Sequence, residues 1–497
     1  MRYLLGLDIG TSGTKTVLFD ERGNVMAEAS ECYPLSQPQN GWAEQDPLHW
    51  WEAVRETVPA VIKKSKVNKK DVVGIGLSGQ MHGLVMLSDK GNVLHPAILW
   101  CDGRTAKQCR EMEAILGRER LIAITGNAAM EGFTAAKILW VRENEPALYE
   151  QCKHVLLPKD YIRYRLCGTF AIDVADASGT QLLDVTKRQW SREVCEAFGV
   201  DMSLLPTVME SPEVSGYLRA DVAAELGLPA GIPVAAGGGD NACAALGSGV
   251  CREGKAFTTV GTSGVIVAHT DTVKIDAGAR YHTFCAAVPG AWHMLGITQF
   301  AGGSLNWFRN QIATEYSYKE LDSLCEKLPI GSDHLLFMPF LMGERNPLLG
   351  IKSRGVFFGL SAIHQKPHMG RAVMEGVAYS LYDLLEVFRS SGAACDDMLL
   401  CGGGAKSPFW TKMFADVYGI DVKTGASGES ACLGAAILAG CAAGVYATVQ
   451  EGCDATVQTG RSYTANAENH QAYMKFYRIF RNLYPTLRES FDTLNDL

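Results

Sequence analysis

The sequence predicts an α/β protein built from two like domains. The chain has 497 residues, which is too long for one hydrophobic core and suits two domains of roughly 250 residues each. Predicted strands alternate with predicted helices in both halves, as is typical of α/β layers. The motif Gly-Thr-Ser-Gly occurs at residues 10–13 and again at 261–264, and such a repeat indicates a duplicated unit. We therefore expect domains at residues 1–246 and 247–497 that face each other across a shared cleft.

The first Gly-Thr-Ser-Gly motif is predicted to lie in a β-hairpin. The Walker phosphate loop needs Gly-Lys followed by Ser or Thr, but here Thr14 separates Gly13 from Lys15. The residues that follow, 14–20, are β-branched and alternate in polarity, so they predict a return strand. A turn flanked by glycines can present backbone N–H groups and hydroxyls to an anion. A plain glycine-rich turn is the alternative interpretation.

The rest of the first half predicts a helix, a strand and a mainly helical middle. Asp46 as cap and Pro47 at the first helical position start the helix. Residues 72–79 form a strand whose GIGLSG matches the dinucleotide-binding pattern, but the next ten residues continue as strand and open no helix. Residues 106–187 are expected to be helical, with a break at LLPKDY.

The second half repeats this order. Strands are predicted around residues 257–269 and 281–294, followed by a helix from AGGSLNW, a long helix over 364–389 and a short strand ending in GGGA. Residues 431–445 are built of alanine, glycine and other apolar residues and are too short to span a membrane, so we expect a buried helix there.

Composition excludes several classes of function. A net charge of -8 argues against a nucleic acid or an anionic membrane as partner. The 15 cysteines are scattered without a C-x-x-C pair, which argues against a disulfide framework or a zinc ribbon. The chain starts directly with a predicted strand and shows no signal-peptide pattern. These observations predict a cytoplasmic protein.

Three polar clusters are candidates for a ligand site. Asp8 is a charge inside an apolar strand and needs a cation or hydrogen bonds, although it could instead cap its own turn. Met81 and His82 lie between glycines at a strand end, where a purely structural histidine is the alternative. Asp240 follows three glycines that let the backbone approach a ligand, and an ordinary Gly-Asp turn is the alternative.

Two further clusters are glycine-rich. Gly402, Gly403 and Gly404 end a predicted strand just before a helix, and ligands of α/β sheets bind at the carboxyl ends of strands. Gly302 and Gly303 lie at another predicted helix N-terminus, which suits an anion.

Taken in order, these motifs resemble the FGGY family of carbohydrate kinases over nearly the whole chain. The segments that carry the resemblance are SGQMHG, ILWCDGR, LLPKDY, GGGDNA, VGTSG, PFLMGER, GVFFGL and GGGA. The resemblance implies two actin/hexokinase-like (ribonuclease H-like) domains with a central cleft. It is strongest to the members that phosphorylate D-xylulose with ATP to give D-xylulose 5-phosphate. Ribulose, gluconate or glycerol are alternative substrates, and a non-catalytic actin-like ATP-binding module is an alternative of another class.

The resemblance also implies a role for each site residue. Asp240 would be the catalytic base, beside Asn241, Met81 and His82 as sugar contacts, and Asp8 would be the acid that holds Mg²⁺. The predicted phosphate contacts are Thr11, Ser12, Thr14, Gly261 and Thr262, and the predicted nucleotide contacts are Gly303, Gly403 and Gly404. The implied partners are the sugar and ATP, with no nucleic acid and no membrane, and a homodimer is the candidate assembly.

Overall fold

The structure, a computed structural model, describes residues 1–344, 350, 352–425 and 429–497. The last residue of the PFLMGER segment, Arg345, lies outside the described residues. The strands of the first half are β1 (Tyr3–Ile9), β2 (Gly13–Asp20), β3 (Val25–Cys32), β4 (Glu44–Gln45), β5 (Val72–Gly79), β6 (Val85–Leu87), β7 (Ala97–Ile98), β8 (His154–Leu156), β9 (Ala171–Asp173), β10 (Leu183–Asp184), β11 (Gln189–Trp190), β12 (Thr207–Met209), β13 (Val214–Tyr217), β14 (Pro233–Ala235) and β15 (Gly238–Gly239). Its helices are α1 (Pro47–Ser65), α2 (Ala106–Leu116), α3 (Arg118–Thr125), α4 (Thr134–Asn144), α5 (Pro146–Gln151), α6 (Pro158–Cys167), α7 (Val174–Ser178), α8 (Arg192–Phe198), α9 (Ala220–Leu226) and α10 (Asp240–Gly247).

The second half continues the alternation of strands and helices. Its strands are β16 (Gly254–Val260), β17 (Gly264–Thr270), β18 (His282–Cys285), β19 (Trp292–Thr298), β20 (Leu336–Met338), β21 (Val356–Phe358), β22 (Cys395–Cys401), β23 (Val422–Gly425) and β24 (Thr459–Tyr463). Its helices are α11 (Gly302–Gln311), α12 (Tyr318–Glu326), α13 (Lys366–Ser390), α14 (Pro408–Tyr418), α15 (Ser430–Ala442), α16 (Val449–Thr456) and α17 (Ala467–Asp496).

Two large sheets share one topology. The first sheet has the order β3-β2-β1-β5-β14-β13, and in the second sheet the corresponding strands have the order β19-β17-β16-β22-β23-β24. The second sheet has an additional edge strand, β18, next to β19. In each sheet the strand before Gly-Thr-Ser-Gly pairs antiparallel with the strand after it and parallel with a later strand. The two-domain α/β prediction from the repeated motif is therefore confirmed.

Local signals in the sequence account for several element boundaries. Helix α1 begins at Pro47, and the Asp46 side chain accepts a hydrogen bond from the Leu48 N–H at 2.9 Å, as predicted. The predicted break at LLPKDY is strand β8 followed by the start of α6. The expectation that strand β5 continues beyond Gly79 is wrong, because the backbone turns at His82 before β6 begins.

Two helices lie between the sheets. Helix α15 packs on β1 and β5 of the first sheet, although it belongs to the second half of the chain. Helix α10 follows the first sheet but packs against α15 and places Ala245 among apolar side chains of the second sheet, such as Phe257. The buried helix predicted at residues 431–445 is confirmed as α15. Among the described residues no helix has both the length and the apolar character needed to cross a membrane.

Glycine in the first sheet permits the close approach of α15. A Cβ at Gly76 would overlap the backbone oxygen of Ala435, which cannot move without shifting the helix. We expect Gly76→Ala to lower the free energy of unfolding by about 1–3 kcal/mol or more, as overpacking does. Thermal or urea unfolding measures the change. Gly103→Ala is the control, because its Cβ would lie 3.7 Å from the nearest atom. Equal stability of the two variants would contradict the close-packing argument.

Candidate active site

Asp8 lies near the end of β1, just before the first Gly-Thr-Ser-Gly turn. Alternation along the strand places it on the same face as Gly6, the face that α15 covers. The parallel register pairs Asp8 with Ser78, whose hydroxyl donates to Oδ1 of Asp8 at 2.7 Å. Burial raises the pKa of Asp8, while the Ser78 hydrogen bond acts in the opposite direction. The carboxylate is thus held in place with part of its charge still to be balanced.

Glu429, which directly precedes α15, lies in the same region. Lys15 pairs with Asp8 across the hairpin and forms ion pairs with Glu28 at 2.9 Å and with Glu429 at 2.6 Å. The charge of Glu429 contributes to the raised pKa of Asp8. Acidic side chains from both halves of the chain therefore meet near this turn, and sequence reasoning missed Glu429.

The first turn exposes some of its predicted phosphate contacts and buries another. The Gly10 N–H donates to the Gly13 carbonyl at 3.1 Å, which closes the turn. Ser12 is exposed, and the Thr11 hydroxyl contacts Gln80 at 3.2 Å. Thr14, in contrast, is buried, and its hydroxyl lies 3.5 Å from that of Tyr33. Only Thr11 and Ser12 therefore present hydroxyls at the surface of this turn.

Asp240 is the first residue of α10 and lies beside the predicted sugar contacts. Its Oδ1 accepts hydrogen bonds from the Asn241 backbone N–H at 2.7 Å and from the Asn241 side-chain amide at 3.1 Å. The same amide lies 3.6 Å from the sulfur of Met81. Burial and then the negative charge of Asp8 raise the pKa of Asp240 to about 7. The structure therefore brings Asp240, Asn241 and Met81 together. The carboxylate of Asp8 lies close enough to raise the pKa of Asp240.

His82 is held as a neutral ring of defined tautomer. Its Nδ1 lies 2.8 Å from the carbonyl oxygen of Gly179, so Nδ1 carries the proton and Nε2 is an acceptor. Burial and then the nearby charge of Lys137 lower the pKa of His82 to about 3. The ring also packs on Phe133, with centroids 4.4 Å apart. A Cβ at Gly179 would lie 2.7 Å from the ring, so this approach requires glycine.

The second Gly-Thr-Ser-Gly turn packs against the start of α11. The Gly261 N–H donates to Ser263 at 3.0 Å, and the Thr262 carbonyl accepts from Ala301 at 2.8 Å and from Gly303 at 3.1 Å. The backbone N–H of Gly303 is therefore engaged within the protein. The Thr262 side chain is exposed.

Gly403 and Gly404 lie beside the second turn. Gly403 is exposed, while Gly404 is buried where a Cβ would lie 2.7 Å from the side chain of Val260. The predicted site residues thus form two groups, one around Asp240 and one around Val260.

A buried cluster of three carboxyl groups surrounds the ammonium group of Lys159. The ammonium of Lys159 lies 2.5 Å from Asp160, 2.5 Å from Asp173 and 2.9 Å from Asp176. An ammonium group therefore lies among the three carboxyl groups. Arg163, 2.7 Å from Asp160, adds a second positive charge, and burial raises the pKa of Asp173 and of Asp176.

Sequence reasoning also missed the residues that support His82. Lys137 lies in the apolar segment FTAAKILWV of helix α4 and is completely buried. A lone lysine inside an apolar helix is costly unless it has partners, and this signal could have identified it.

Comparison with known proteins assigns the chain to a family. The models of the FGGY family of carbohydrate kinases match residues 3–247 (N-terminal domain) and 256–443 (C-terminal domain). A xylulose kinase of Bacillus subtilis (strain 168) is 38% identical over 97% of this chain and 97% of its own length. The crystal structure of xylulose kinase from Rhodospirillum rubrum covers 99% of this chain and 100% of its own, with a TM-score of 0.93 and 31% identity. The crystal structure of gluconate kinase from Lactobacillus acidophilus also has a TM-score of 0.93, at 27% identity and covering 99% of each chain. The chain belongs to the FGGY family of carbohydrate kinases.

Proposed function

We propose that this chain transfers the γ-phosphoryl group of ATP to D-xylulose, giving D-xylulose 5-phosphate for carbohydrate catabolism. The observation that carries the proposal is the position of Asp240. Its carboxylate accepts hydrogen bonds from Asn241, beside Met81, and the charge of Asp8 raises its pKa. The identity to the B. subtilis xylulose kinase along almost the full chain supports D-xylulose as the sugar.

Asp240 is the proposed general base. Both hydrogen bonds from Asn241 fall on Oδ1, which leaves Oδ2 to accept the proton of the attacking sugar hydroxyl. A pKa of about 7 suits this role, because a base is most effective when its pKa lies near the working pH. Phosphoryl transfer needs little covalent chemistry from the protein, so positioning this carboxylate against the hydroxyl is its main contribution.

The sugar contacts divide into polar and apolar ones. Nε2 of His82 accepts a hydrogen bond from a sugar hydroxyl, because Nδ1 is already committed to Gly179. The amide of Asn241 orients a second hydroxyl, and Met81 forms an apolar wall. A neutral histidine is suited to this contact, since its lone pair stays available over the physiological pH range.

The two turns would hold the phosphates. Thr11 and Ser12 of the first turn and Gly261 and Thr262 of the second are the proposed contacts, and Thr14, which is buried in β2 between β1 and β3, would support the first turn. Gly303, Gly403 and Gly404 would lie along the nucleotide. Asp8 fits a Mg²⁺ ligand, because Mg²⁺ is usually held by one or two carboxylates together with substrate phosphates. When bound, Mg²⁺ offsets the charge on the phosphates.

An ADP-release assay with a panel of acceptors tests the proposal. D-xylulose, D-ribulose, D-gluconate and glycerol would each be offered with MgATP, beside a reaction without sugar. We expect D-xylulose to give the highest kcat/KM. A higher kcat/KM with another acceptor would assign the chain a different substrate within the family. D-gluconate is the main alternative, because a gluconate kinase structure has a similar fold. ADP release independent of every acceptor would favour an ATP-binding module.

We also propose a cytoplasmic location and a homodimer. The fifteen cysteines all lie in the described part of the chain and none of them forms a disulfide, which supports a reducing compartment. Light scattering of the purified protein tests the assembly, and fractionation of cells tests the location.

His82→Ala is expected to weaken sugar use more than ATP use. The variant removes the Nε2 acceptor, and a lost hydrogen bond of this kind costs about 1–3 kcal/mol. Steady-state kinetics should show a higher KM for D-xylulose and an almost unchanged KM for MgATP. His49→Ala, on helix α1, is the control. Unchanged sugar kinetics in the His82 variant would reject the assignment.

A further inference from the structure

The backbone at His82 adopts a costly conformation. His82 has a φ of +67°, in the left-handed region that residues with side chains seldom occupy. The Gly83 N–H donates to the Met81 carbonyl at 2.9 Å, so the three residues form a tight turn with His82 at its centre. A γ-turn with positive φ at the central residue is rare and strained. Such a turn persists only when surrounding contacts fix it.

Two side chains from helix α4 meet the carbonyl oxygen of His82. The Thr134 hydroxyl donates to it at 3.1 Å, and the Lys137 ammonium donates to it at 2.9 Å. Lys137 also donates to the Gly132 carbonyl at 2.6 Å. Gly132 directly precedes Phe133, whose ring packs on that of His82. Lys137 therefore ties the backbone of the turn to the segment that supports the histidine ring.

The chemistry of Lys137 matches this pair of acceptors. Burial lowers the pKa of Lys137 to about 7, and the charge of Asp102 acts in the opposite direction. A neutral amine still has two N–H donors, the number that the two carbonyls require, and the protonated form has three. We call the hydrogen bonds from Lys137 and Thr134 to the His82 carbonyl, together with the one from Lys137 to the Gly132 carbonyl, the clamp. Both hydrogen bonds of Lys137 can form in either of its protonation states.

An apolar side chain at this position of α4 would avoid the free-energy cost of burying a lysine. Lys137 has no exposed surface, and burying a group that can be charged is unfavourable unless it is paired or hydrogen-bonded. The hydrogen bonds to the His82 and Gly132 carbonyls are thus the specific gain that a lysine offers here over leucine or methionine.

We propose that Lys137, with Thr134, is a positioning residue for sugar binding, which holds the strained turn at His82 and so directs Nε2 of that ring toward the sugar. The inference rests on the proposed function, in which His82 contacts the sugar. It adds residues that act through His82 and do not themselves touch the substrate.

Lys137→Met and Thr134→Val test the inference, with Lys107→Met as the control at an exposed helical lysine. We expect Lys137→Met to raise the KM for D-xylulose about tenfold or more, the loss that two hydrogen bonds can cause. The KM for MgATP should stay within about twofold. Thr134→Val should act in the same direction with a smaller effect. Unchanged sugar KM in both folded variants would overturn the inference.

A double-variant cycle with His82→Ala separates positioning from a general structural role. If Lys137 acts through the histidine ring, Lys137→Met should raise the sugar KM no further once the ring is gone. Effects that multiply in the double variant would overturn the inference. If Lys137→Met fails to fold, the same cycle with Thr134→Val decides.

Amide hydrogen exchange gives a readout that needs no substrate. We expect faster exchange at the Gly83 N–H in ligand-free Lys137→Met and Thr134→Val, because its bond to Met81 depends on the clamp. Unchanged exchange would count against the inference. A wild-type protein that phosphorylates no sugar would refute the proposed function, whereas the exchange result would still report on the clamp.

Discussion

Asp240→Asn is expected to lower the rate of sugar phosphorylation by about a hundred- to ten-thousandfold, the contribution typical of general-base catalysis. The substitution keeps the size of the side chain, and its amide oxygen can still accept the hydrogen bonds from Asn241 that are now 2.7 and 3.1 Å long. It removes only the ability to take a proton. ATP binding and the melting temperature should therefore change little.

Initial rates at saturating D-xylulose and MgATP, beside a thermal melt and a nucleotide-binding measurement, check this expectation. Asp46→Asn is a matched control, since Asp46 also lies at a helix start and asparagine caps equally well. A rate within about threefold of wild type would show that Asp240 is a turn residue and not the base.

Asp8→Asn is expected to have the second largest effect, a loss of about a hundredfold or more in kcat, because a metal-held charge contributes several kcal/mol to the transition state. The amide can keep the 2.7 Å hydrogen bond from Ser78, so the turn should remain intact. Excess Mg²⁺ should restore part of the activity. Wild-type turnover at low Mg²⁺ would instead indicate that Asp8 only supports its turn.

The same variant should also shift the pH dependence. A base works when deprotonated, so kcat/KM for the sugar should rise with pH through the pKa of Asp240, about 7. The negative charge of Asp8 is one cause of that raised pKa. Its removal lowers the pKa, and the acid limb of the profile should move to lower pH. An unmoved limb would show that the two carboxylates do not interact.

Much of the fold could be predicted because local patterns carry it. The β-branched residues on both sides of each Gly-Thr-Ser-Gly predict two hairpins, and the structure places each hairpin at the same position in its sheet. Asp46 and Pro47 predict the start of α1 for reasons confined to one helical turn. Asp240 and Met81 could be singled out from neighbouring glycines alone, and the structure brings Asn241 between them.

The rest depends on contacts that are distant in sequence. The turn at His82 replaces the predicted continuation of β5, because Thr134 and Lys137, more than 50 residues later, hold its carbonyl. Glu429 reaches the region of Asp8 only through the fold. The local pattern around Lys137 indicates that it needs partners, but it does not identify the His82 carbonyl as one of them. The buried position of Thr14 likewise involves a contact with Tyr33, which directly follows the neighbouring strand β3.

The placement of α15 on the first sheet has a consequence for the folding of the chain during its synthesis on the ribosome. The Cys432 thiol meets the carbonyl of Lys15, 417 positions earlier. At about 5–20 residues per second, synthesis leaves roughly 20–80 s between the two. During that interval the apolar residues of β1 and β2 that α15 covers, such as Leu4 and Val17, have no partner from this helix. The nascent first domain therefore cannot complete its core before almost the entire polypeptide has been translated.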